Sequence, residues 1–448
     1  METILVIIFV LGYLSITLEH KLKIDKLVPA IIMMALMWAT VAFGLDNWGT
    51  WYDSHHQHLL EGFAELAHDA RLAILESTLL HHFGKTSEIL IFLLGAMTIV
   101  EITDYFNGFG AIKQFVRTRK KLTLLWIVSI LAFVLSSIID NLTATIVLIT
   151  ILRKLIPDAT DRKWFAGLII IAANAGGAWS PIGDVTTTML WIGNRVTTGK
   201  LIEHLVIPSI LCVLLPLIAA SFMSVFKGNV EMPAADPNEK PASLGMLLLG
   251  LGAIMFVPVF KTLSHLPPYI GMMLALGVVA IVAEIRTSRN FHLTDGQGHH
   301  SPLHGSLSKI EMPSILFFLG ILMAVASLES VGALFHLAEG MNAAIPNTDI
   351  VVILLGVASA VIDNVPLVAA SMGMFQLATD HHIWHFIAFS AGTGGSMLII
   401  GSAAGVVAMG MEKIDFMWYV KNISWLAALG FLGGCLSFMA MNTFVFGN

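Results

Sequence analysis

The amino-acid sequence predicts an all-α polytopic membrane protein with two inverted repeats, each containing a re-entrant hairpin and a broken transmembrane helix. Three observations predict this fold class: an apolar composition, a series of span-length apolar stretches, and an internal repeat. Of the 448 residues, 56% are hydrophobic and 12% are charged, whereas soluble domains carry about 25% charged residues. So few charges cannot cover a soluble core of this size, which favours lipid as the solvent.

Composition also excludes several classes of function. The net charge of -6 is small, so we expect no nucleic-acid partner. The two cysteines, Cys212 and Cys435, lie in apolar runs and indicate neither a disulfide framework nor a thiol metal site. The N-terminal stretch lacks a basic n-region and a cleavage site, and we interpret it as a retained first span. A membrane enzyme is disfavoured because no span contains a nucleophile motif or a metal-ligating histidine cluster, and no cofactor is expected.

Crossing the hydrocarbon core takes about 20 apolar residues. Ordinary spans are predicted at 2–18, 27–45, 86–102, 205–226, 244–260, 269–285, 312–330 and 417–445. Four further apolar stretches are interrupted by polar residues, Gly or Pro. Leucines near helical spacing over residues 56–82 suggest an amphipathic helix on the outer surface. Ten histidines are interpreted as solvated loop residues: His55, His56, His58, His81, His82, His299, His300, His304, His381 and His382.

The distribution of Lys and Arg predicts the orientation, because cytoplasmic loops carry the excess of positive charge. One assignment places 19 of the 24 basic residues inside and both termini outside. It requires residues 122–152, which have basic residues on both flanks, to enter and leave on the inner side as a hairpin. Residues 349–379 have no basic flanks and are interpreted as a hairpin that enters from outside. The alternative, two plain spans with a polar residue in each, scatters the basic loops to both faces.

The two halves of the chain repeat the same motifs in the same order. Residues 136–143 (SSIIDNLT) align with 359–366 (SAVIDNVP), and residues 174–183 (NAGGAWSPIG) align with 392–401 (GTGGSMLIIG). Because the predicted orientations are opposite, this is the inverted-repeat plan of many secondary transporters, whose substrate sites lie near the midplane.

The predicted domains follow from this repeat. The first repeat covers residues 1–226, with a hairpin at 122–152 and a broken helix at 164–194. The second covers 244–448, with a hairpin at 349–379 and a broken helix at 384–411. A hydrophilic linker, residues 227–243, separates the two repeats.

Carboxylates inside the apolar stretches are the main candidates for a functional site. Asp140 and Asp363 occupy equivalent repeat positions. A charged side chain at the bilayer centre costs about 2.5–3.5 kcal/mol on insertion scales, so such residues usually mark ion pathways or proton relays. Asn141 and Asn364 add amide oxygens, and Thr143 adds a hydroxyl in the first half only. The simpler alternative is that each Asp only satisfies helix ends at a hairpin tip.

The second candidate region is residues 172–188, where Gly and Pro disfavour a continuous helix. Irregular backbone at membrane depth is tolerated where it is buried or lines a cavity, and freed carbonyls can coordinate a hard cation such as Na⁺. A packing kink is the alternative, and a third carboxylate argues against it. The polar residues of this region are Asn174, Ser180, Asp184, Thr186 and Thr187. Weaker, accessory candidates are Glu101, Glu329, Thr393 and Ser396.

Three acids without any Lys or Arg in the interrupted stretches favour a cationic substrate. A carboxylate removed from water binds a proton more readily, so it can hold a proton or a metal cation but not both cheaply. Competition for one site is a sufficient mechanism for cation/proton exchange. In this hypothesis the sodium ion binds at Asp140, Asn141, Asp363 and Asn364.

Residues 136–143, 174–188 (NAGGAWSPIGDVTTT) and 361–368 (VIDNVPLV) resemble the NhaD-type Na⁺/H⁺ antiporters of the ion transporter superfamily. The resemblance implies export of Na⁺ or Li⁺ coupled to H⁺ uptake across a bacterial inner membrane, an elevator-like movement, and a homodimer. Related dicarboxylate carriers have Ser-Asn-Thr at the hairpin tips, where this chain has Asp-Asn-Leu-Thr and Asp-Asn-Val-Pro. The aspartates disfavour the alternative function, a Na⁺-coupled anion or dicarboxylate symporter. By motif match, functional roles fall on Asp140, Asn141, Asn174, Asp184, Thr186, Thr187, Asp363 and Asn364.

Overall fold

A computed structural model shows a predominantly helical chain and describes residues 1–446 except 18–21, 54–57, 61, 116–117, 231–240, 292–300, 311, 335, 338–339, 341–344, 346 and 362. The first-half helices are α1 Glu2–Thr17, α2 Leu27–Phe43, α3 His68–Tyr105, α4 Lys121–Ser136, α5 Asn141–Leu155, α6 Ala159–Ala178, α7 Val185–Ile192 and α8 Thr198–Ser221. The second-half helices are α9 Leu244–Ser264, α10 Pro268–Phe291, α11 Pro302–Leu307, α12 Met312–Ser330, α13 Thr348–Ala358, α14 Asn364–Met374, α15 His382–Gly394, α16 Ala403–Glu412, α17 Phe416–Asn422 and α18 Ser424–Phe444. Two short antiparallel strands, β1 Tyr52–Asp53 and β2 His58–Leu59, pair with Tyr52 opposite Leu59.

Within the described part of the chain, six helices are long and apolar enough to cross a membrane: α3, α8, α9, the Pro268–Thr287 part of α10, α12 and α18. Helices α1 and α2 are apolar but shorter. These helices overlap the predicted spans, and the polytopic all-α class is confirmed. The helix α8 begins at Thr198, before its predicted span 205–226, and the predicted span 417–445 divides into α17 and α18.

One boundary prediction is wrong. Residues 86–102 and most of the predicted amphipathic helix 56–82 form a single helix, α3, which has 38 residues and begins at His68. Residues 83–86 hold only one helix-weakening residue, Gly84, and no proline. Because nothing there stops a helix, the outer amphipathic segment continues into the apolar one. Residues 58–59, also assigned to that helix, form a strand instead.

The histidine assignments are corrected in part. His81 and His82 lie within α3, and His82 is buried with its Nε2 3.4 Å from the Ser330 hydroxyl. Because α3 is uninterrupted, His81 and His82 are helical residues and not the loop residues that were predicted. His381 is the N-cap residue of α15, where its ring accepts the Ile383 N–H. His55, His56, His299 and His300 lie outside the described residues.

The four interrupted stretches each divide into two helices. Residues 122–152 form α4 and α5, and residues 349–379 form α13 and α14. Residues 164–194 form α6 and α7 with a break at 179–184, and residues 384–411 form α15 and α16 with a break at 395–402. The helix that follows the turn begins at Asn141 in one case and at Asn364 in the other, so each motif aspartate directly precedes a helix.

The chain divides into two compact units that each combine segments from both halves of the sequence. The first unit comprises Met1–Ile91, Glu311–Val351 and Val365–Ala378. Inside it, α2 packs on α12, and the Trp38 indole donates a hydrogen bond of 2.8 Å to the Met323 carbonyl. The second unit comprises Phe92–Ile310, Val352–Asn364 and Thr379–Asn448. The four broken or turn-containing stretches contribute all of the polar network described next, and that network lies in the second unit.

Candidate functional site

The turn between α4 and α5 is fixed by its own aspartate. Asp140 is the N-cap of α5, and its carboxylate accepts the Thr143 amide at 2.8 Å and the Thr143 hydroxyl at 2.6 Å. A carboxylate at this position satisfies an N–H that has no partner within the helix. Asn141 donates its backbone N–H to the Gly183 carbonyl at 3.1 Å. The tip of the turn therefore lies directly against the break between α6 and α7.

Aligned serines make the same contact in both halves. Ser136 donates its hydroxyl to the Ala173 carbonyl at 2.6 Å, and Ser359 donates to the Ala391 carbonyl at 2.7 Å. Each serine lies at the end of the first helix of a turn, and each carbonyl lies near the end of the helix before a break. The alignment found in the sequence is thus repeated as a contact between side chain and backbone.

Aligned glycines show the same repetition. A Cβ on Gly176 would overlap the Phe133 carbonyl oxygen, and a Cβ on Gly394 would overlap the Gly356 carbonyl oxygen. Only a residue without a side chain allows the two helices to approach this closely. Glycine at these positions is therefore required by packing, and it brings each turn against its partner break.

The Asp184 carboxylate is the centre of the polar network. It is 2% exposed and lies at the N-cap of α7, where it accepts the Thr186 amide at 3.1 Å. The Asn141 Nδ2 donates to Asp184 Oδ2 at 3.0 Å, and the Asn364 Nδ2 donates to the same oxygen at 3.2 Å. One buried carboxylate therefore receives side-chain amides from both halves of the chain.

The network continues from Asn141 through Asn174 to a polar residue of the second break, Ser402. The Asn141 Nδ2 also donates to Asn174 Oδ1 at 2.9 Å, and the Asn174 Nδ2 donates to the Ser402 hydroxyl at 3.0 Å. Ser402 caps α16 as Asp184 caps α7. The repeat alignment places Ser402 opposite Asp184.

The two turn aspartates complete an acidic cluster around Asp184. Asp140 and Asp363 are each partly buried, and both lie near enough for their charges to act on the Asp184 carboxylate. The stretches that form the turns and breaks contain no Lys or Arg. Carboxylate, amide and hydroxyl oxygens are the ligands that a small hard cation prefers, but among the described residues no three acidic, His or Cys side chains lie close enough to hold one metal ion together.

Four further predicted hydroxyls, those of Ser180, Thr187, Thr393 and Ser396, donate to backbone carbonyls. Ser180 donates to the Ser137 carbonyl at 2.6 Å, and Thr187 donates to the Asp184 carbonyl at 2.9 Å. Thr393 and Ser396 donate to carbonyls of the preceding turn of backbone. These contacts hold the breaks in shape.

Space beside Asp184 comes from a glycine. A Cβ placed on Gly392 would lie 3.6 Å from Asp184 Oδ2 and 3.7 Å from the Thr186 hydroxyl oxygen. Gly392 aligns with Asn174, so the second half has no side chain where the first half has an amide. The network is therefore asymmetric, and the side of Asp184 that faces Gly392 is left open.

The accessory acids lie elsewhere. Glu101 lies near the end of α3, partly buried, and interacts electrostatically with Asp104 and Lys309. Glu329 is part of the first unit, where its side chain lies 3.3 Å from a Cβ placed on Gly373.

A helical membrane protein with two helix breaks that meet around a buried carboxylate has the architecture of a transporter. A family model described as "Citrate transporter" (CitMHS) matches residues 4–385. The chain is 42% identical to Sodium/proton antiporter 1 of Arabidopsis thaliana, over 99% of this chain and 73% of that protein. It is 31% identical to the Na(+)/H(+) antiporter NhaD of Alkalimonas amylolytica, over 95% of this chain and 87% of the relative.

The chain belongs to this transporter family, together with the NhaD-type antiporters, and the resemblance stated from its motifs is confirmed. The relatives are named as transporters or antiporters, in agreement with the expectation of a carrier that is not an enzyme. The crystal structure of the Alcanivorax borkumensis YdaH transporter is similar in fold, with a TM-score of 0.59 over 93% of this chain and 98% of that one. At 12% sequence identity this likeness concerns the fold alone.

Proposed function

We propose that this protein is a secondary transporter that exchanges Na⁺ or Li⁺ for H⁺. The observation that carries the proposal is the buried Asp184 carboxylate, which is held by the amides of Asn141 and Asn364 from opposite halves of the chain. The names of relatives at 42% and 31% identity support the same function. Na⁺, Li⁺ and H⁺ are transported ions here, and no cofactor takes part.

Exchange follows from competition for the acidic cluster. A proton on a buried carboxylate removes the charge that attracts Na⁺, and bound Na⁺ disfavours the proton. The sodium ligands are the oxygens of Asp140, Asn141, Asp363 and Asn364, because an amide that donates its N–H keeps a carbonyl oxygen for a cation. Asp184 lies beside these ligands and exchanges the proton.

The architecture of the proposal is two inverted repeats, residues 1–226 and 244–448, joined by the linker 227–243. The turns within 122–152 and 349–379 are re-entrant hairpins that enter from opposite sides of the membrane. The matched serine and glycine contacts of the two halves support the repeat, and the Lys and Arg distribution supports the inversion. Transport is elevator-like, with the hairpins and broken helices moving as one part.

In this proposal the protein lies in a bacterial inner membrane with both termini outside, and two copies form a homodimer in the lipid. The termini follow from placing most basic loops in the cytoplasm. A membrane-impermeant thiol reagent tests this, since cysteines added at either terminus should react from outside in intact cells.

An anion is the second candidate substrate, favoured by the description "Citrate transporter" of the matching family model. An anion site needs cationic side chains or helix N-termini that are free of carboxylates. In the described structure, aspartates are the N-cap residues of both α5 and α7, and residues 122–152 and 164–194 contain no Lys or Arg. The charge of the site therefore favours a cation.

The test uses inside-out vesicles with a preformed proton gradient and a pH-sensitive dye. Added Na⁺ or Li⁺ should dissipate the gradient. Citrate or succinate, added as the potassium salt, should not. Two results contradict the proposal. One is a dye signal that does not change when Na⁺ or Li⁺ is added at alkaline pH, and the other is a signal that changes on addition of citrate or succinate instead. Vesicles with Asp184→Asn protein serve as the matched control.

A further inference from the structure

A second buried carboxylate lies at the opposite end of the helices that carry the network. Glu412, the last residue of α16, has a side chain that is 1% exposed. Its Oε1 accepts a hydrogen bond of 2.7 Å from Arg153 Nε, and its Oε2 accepts one of 2.8 Å from Arg162 Nε. Each carboxylate oxygen is thus held by a different guanidinium, one from α5 and one from α6.

One of the two guanidinium groups is also fixed by backbone. Arg162 donates from Nη1 to the carbonyls of Ile156 and Pro157, at 2.9 and 2.7 Å. These carbonyls belong to the loop between α5 and α6. The arginine therefore cannot follow Glu412 freely, and the position of the carboxylate is determined by the ends of both helices.

The same three helices are joined at both ends. Near the site, Asn141 of α5 bonds Asn174 of α6, which bonds Ser402 at the start of α16. At the other end, Arg153 of α5 and Arg162 of α6 bond Glu412 at the end of α16. The two connections are separated by 12 residues on α5, 12 on α6 and 10 on α16. At 1.5 Å per residue these are about 18, 18 and 15 Å.

We infer that Glu412 is a positioning residue for the proposed ion site and sets how far α5 and α6 extend along α16. The inference rests on the proposed function. A helix is stiff over this length, so a shift at the Glu412 end moves Asn141 and Asn174 relative to Ser402. The bridge joins helices from both halves of the chain. Buried ion pairs often add little to stability, but they specify geometry in several systems.

The matched pair of variants is Glu412→Gln and Asp161→Asn. Asp161 pairs with Lys121 at 2.6 Å between α4 and α6, near the same end of α6, and both of its carboxylate oxygens bind that lysine of α4. Both variants replace one carboxylate by its amide. In the dye assay, Glu412→Gln should raise the apparent KM for Na⁺ about tenfold, since small displacements of ligands have large effects. Asp161→Asn should leave it within about twofold, and Glu412→Asp should recover part of the loss.

The assay is normalised to the amount of protein in the membrane, so that a loss of folding does not count as a loss of affinity. Should Glu412→Gln fail to accumulate, Arg153→Gln provides the same test, because Arg153 is the more exposed partner at 44%. If the KM for Na⁺ is unchanged in Glu412→Gln or Arg153→Gln, or changes equally in Asp161→Asn, the inference is overturned. Exchange by the wild type upholds the proposed function in that case. Wild-type vesicles without Na⁺ exchange overturn the proposed function, and this inference with it.

Discussion

Asn364 donates its side-chain amide to Asp184, with Nδ2 3.2 Å from Oδ2, although 180 residues separate the two in sequence. The amide belongs to the second half of the chain and the carboxylate to the first. Asn141 binds the same carboxylate oxygen from the first half. Any change in the charge of Asp184 therefore acts on both turns at once, as a site shared by the two halves of the chain requires.

Replacing Asp184 by Asn should reduce exchange by about 100-fold or more, because the variant can no longer release and bind a proton there. The measurement is dye-monitored exchange in vesicles with matched protein content. Asp158→Asn is the control, since Asp158 also caps a helix, α6, through a carboxylate. Asparagine caps helices about as well as aspartate. A similar loss in both variants would show that losing the charge of any N-cap aspartate, and not the loss of a proton site at Asp184, reduces exchange.

Removing the Asn364 amide should move the onset of exchange to more alkaline pH. Hydrogen bonds to a charged carboxylate favour its ionised form, so Asn364→Ala favours the protonated form of Asp184. Na⁺ competes with that proton, and more alkaline medium is then needed. Exchange measured over a pH series should show an upward displacement for Asn364→Ala, with Asn174→Ala as the comparison because Asn174 does not bind Asp184 directly. A displacement towards acid pH contradicts this account.

Filling the space beside Asp184 should weaken Na⁺ binding in a graded way. Gly392→Ala adds a Cβ with its nearest neighbours at 3.6 Å and 3.7 Å, an ordinary contact distance, so exchange should be nearly unchanged. Gly392→Val adds two methyl groups to the same space, and crowding of this kind costs about 1–3 kcal/mol. The KM for Na⁺ should rise by about tenfold or more. Equal KM values for the two variants would mean that the space has no role.

The matched serines should contribute equally to stability. Ser136→Ala and Ser359→Ala each remove a hydrogen bond to a buried carbonyl, and each should lower the free energy of unfolding by about 1 kcal/mol. Thermal unfolding in detergent measures the effect. Ser129→Ala is the control, because the Ser129 hydroxyl is buried and has no hydrogen-bond partner among the described residues. A loss in only one of the two matched variants would contradict their structural equivalence.

Much of the fold could be predicted from sequence because lipid imposes simple rules on composition and length. Apolar stretches and Gly or Pro interruptions predicted where most helices and both breaks lie, but not the N-terminal ends of α3 and α8. The continuity of α3 through residues 82–86 was not predicted, because an amphipathic segment and an apolar span follow one another there without a stop signal. His82 was misplaced for the same reason.

The candidate site could be predicted as a set of residue types but not as a set of bonds. Asn141, Asn174, Asp184 and Asn364 follow from polarity inside apolar stretches, and the structure brings them together. Which hydroxyls bind backbone, such as that of Ser180, depends on the path of the breaks. The role of Glu412 could not be predicted from sequence, because its arginine partners lie 259 and 250 residues away in the chain.

The N-cap position of Asp184 has a consequence for the movement of ions. Its negative charge faces the positive end of the α7 dipole and accepts the Thr186 amide, so the ionised form stabilises the first turn of that helix. Neutralisation by a proton weakens the same turn. In the proposed exchange, release of the proton from Asp184 and stabilisation of the first turn of α7 are therefore thermodynamically coupled.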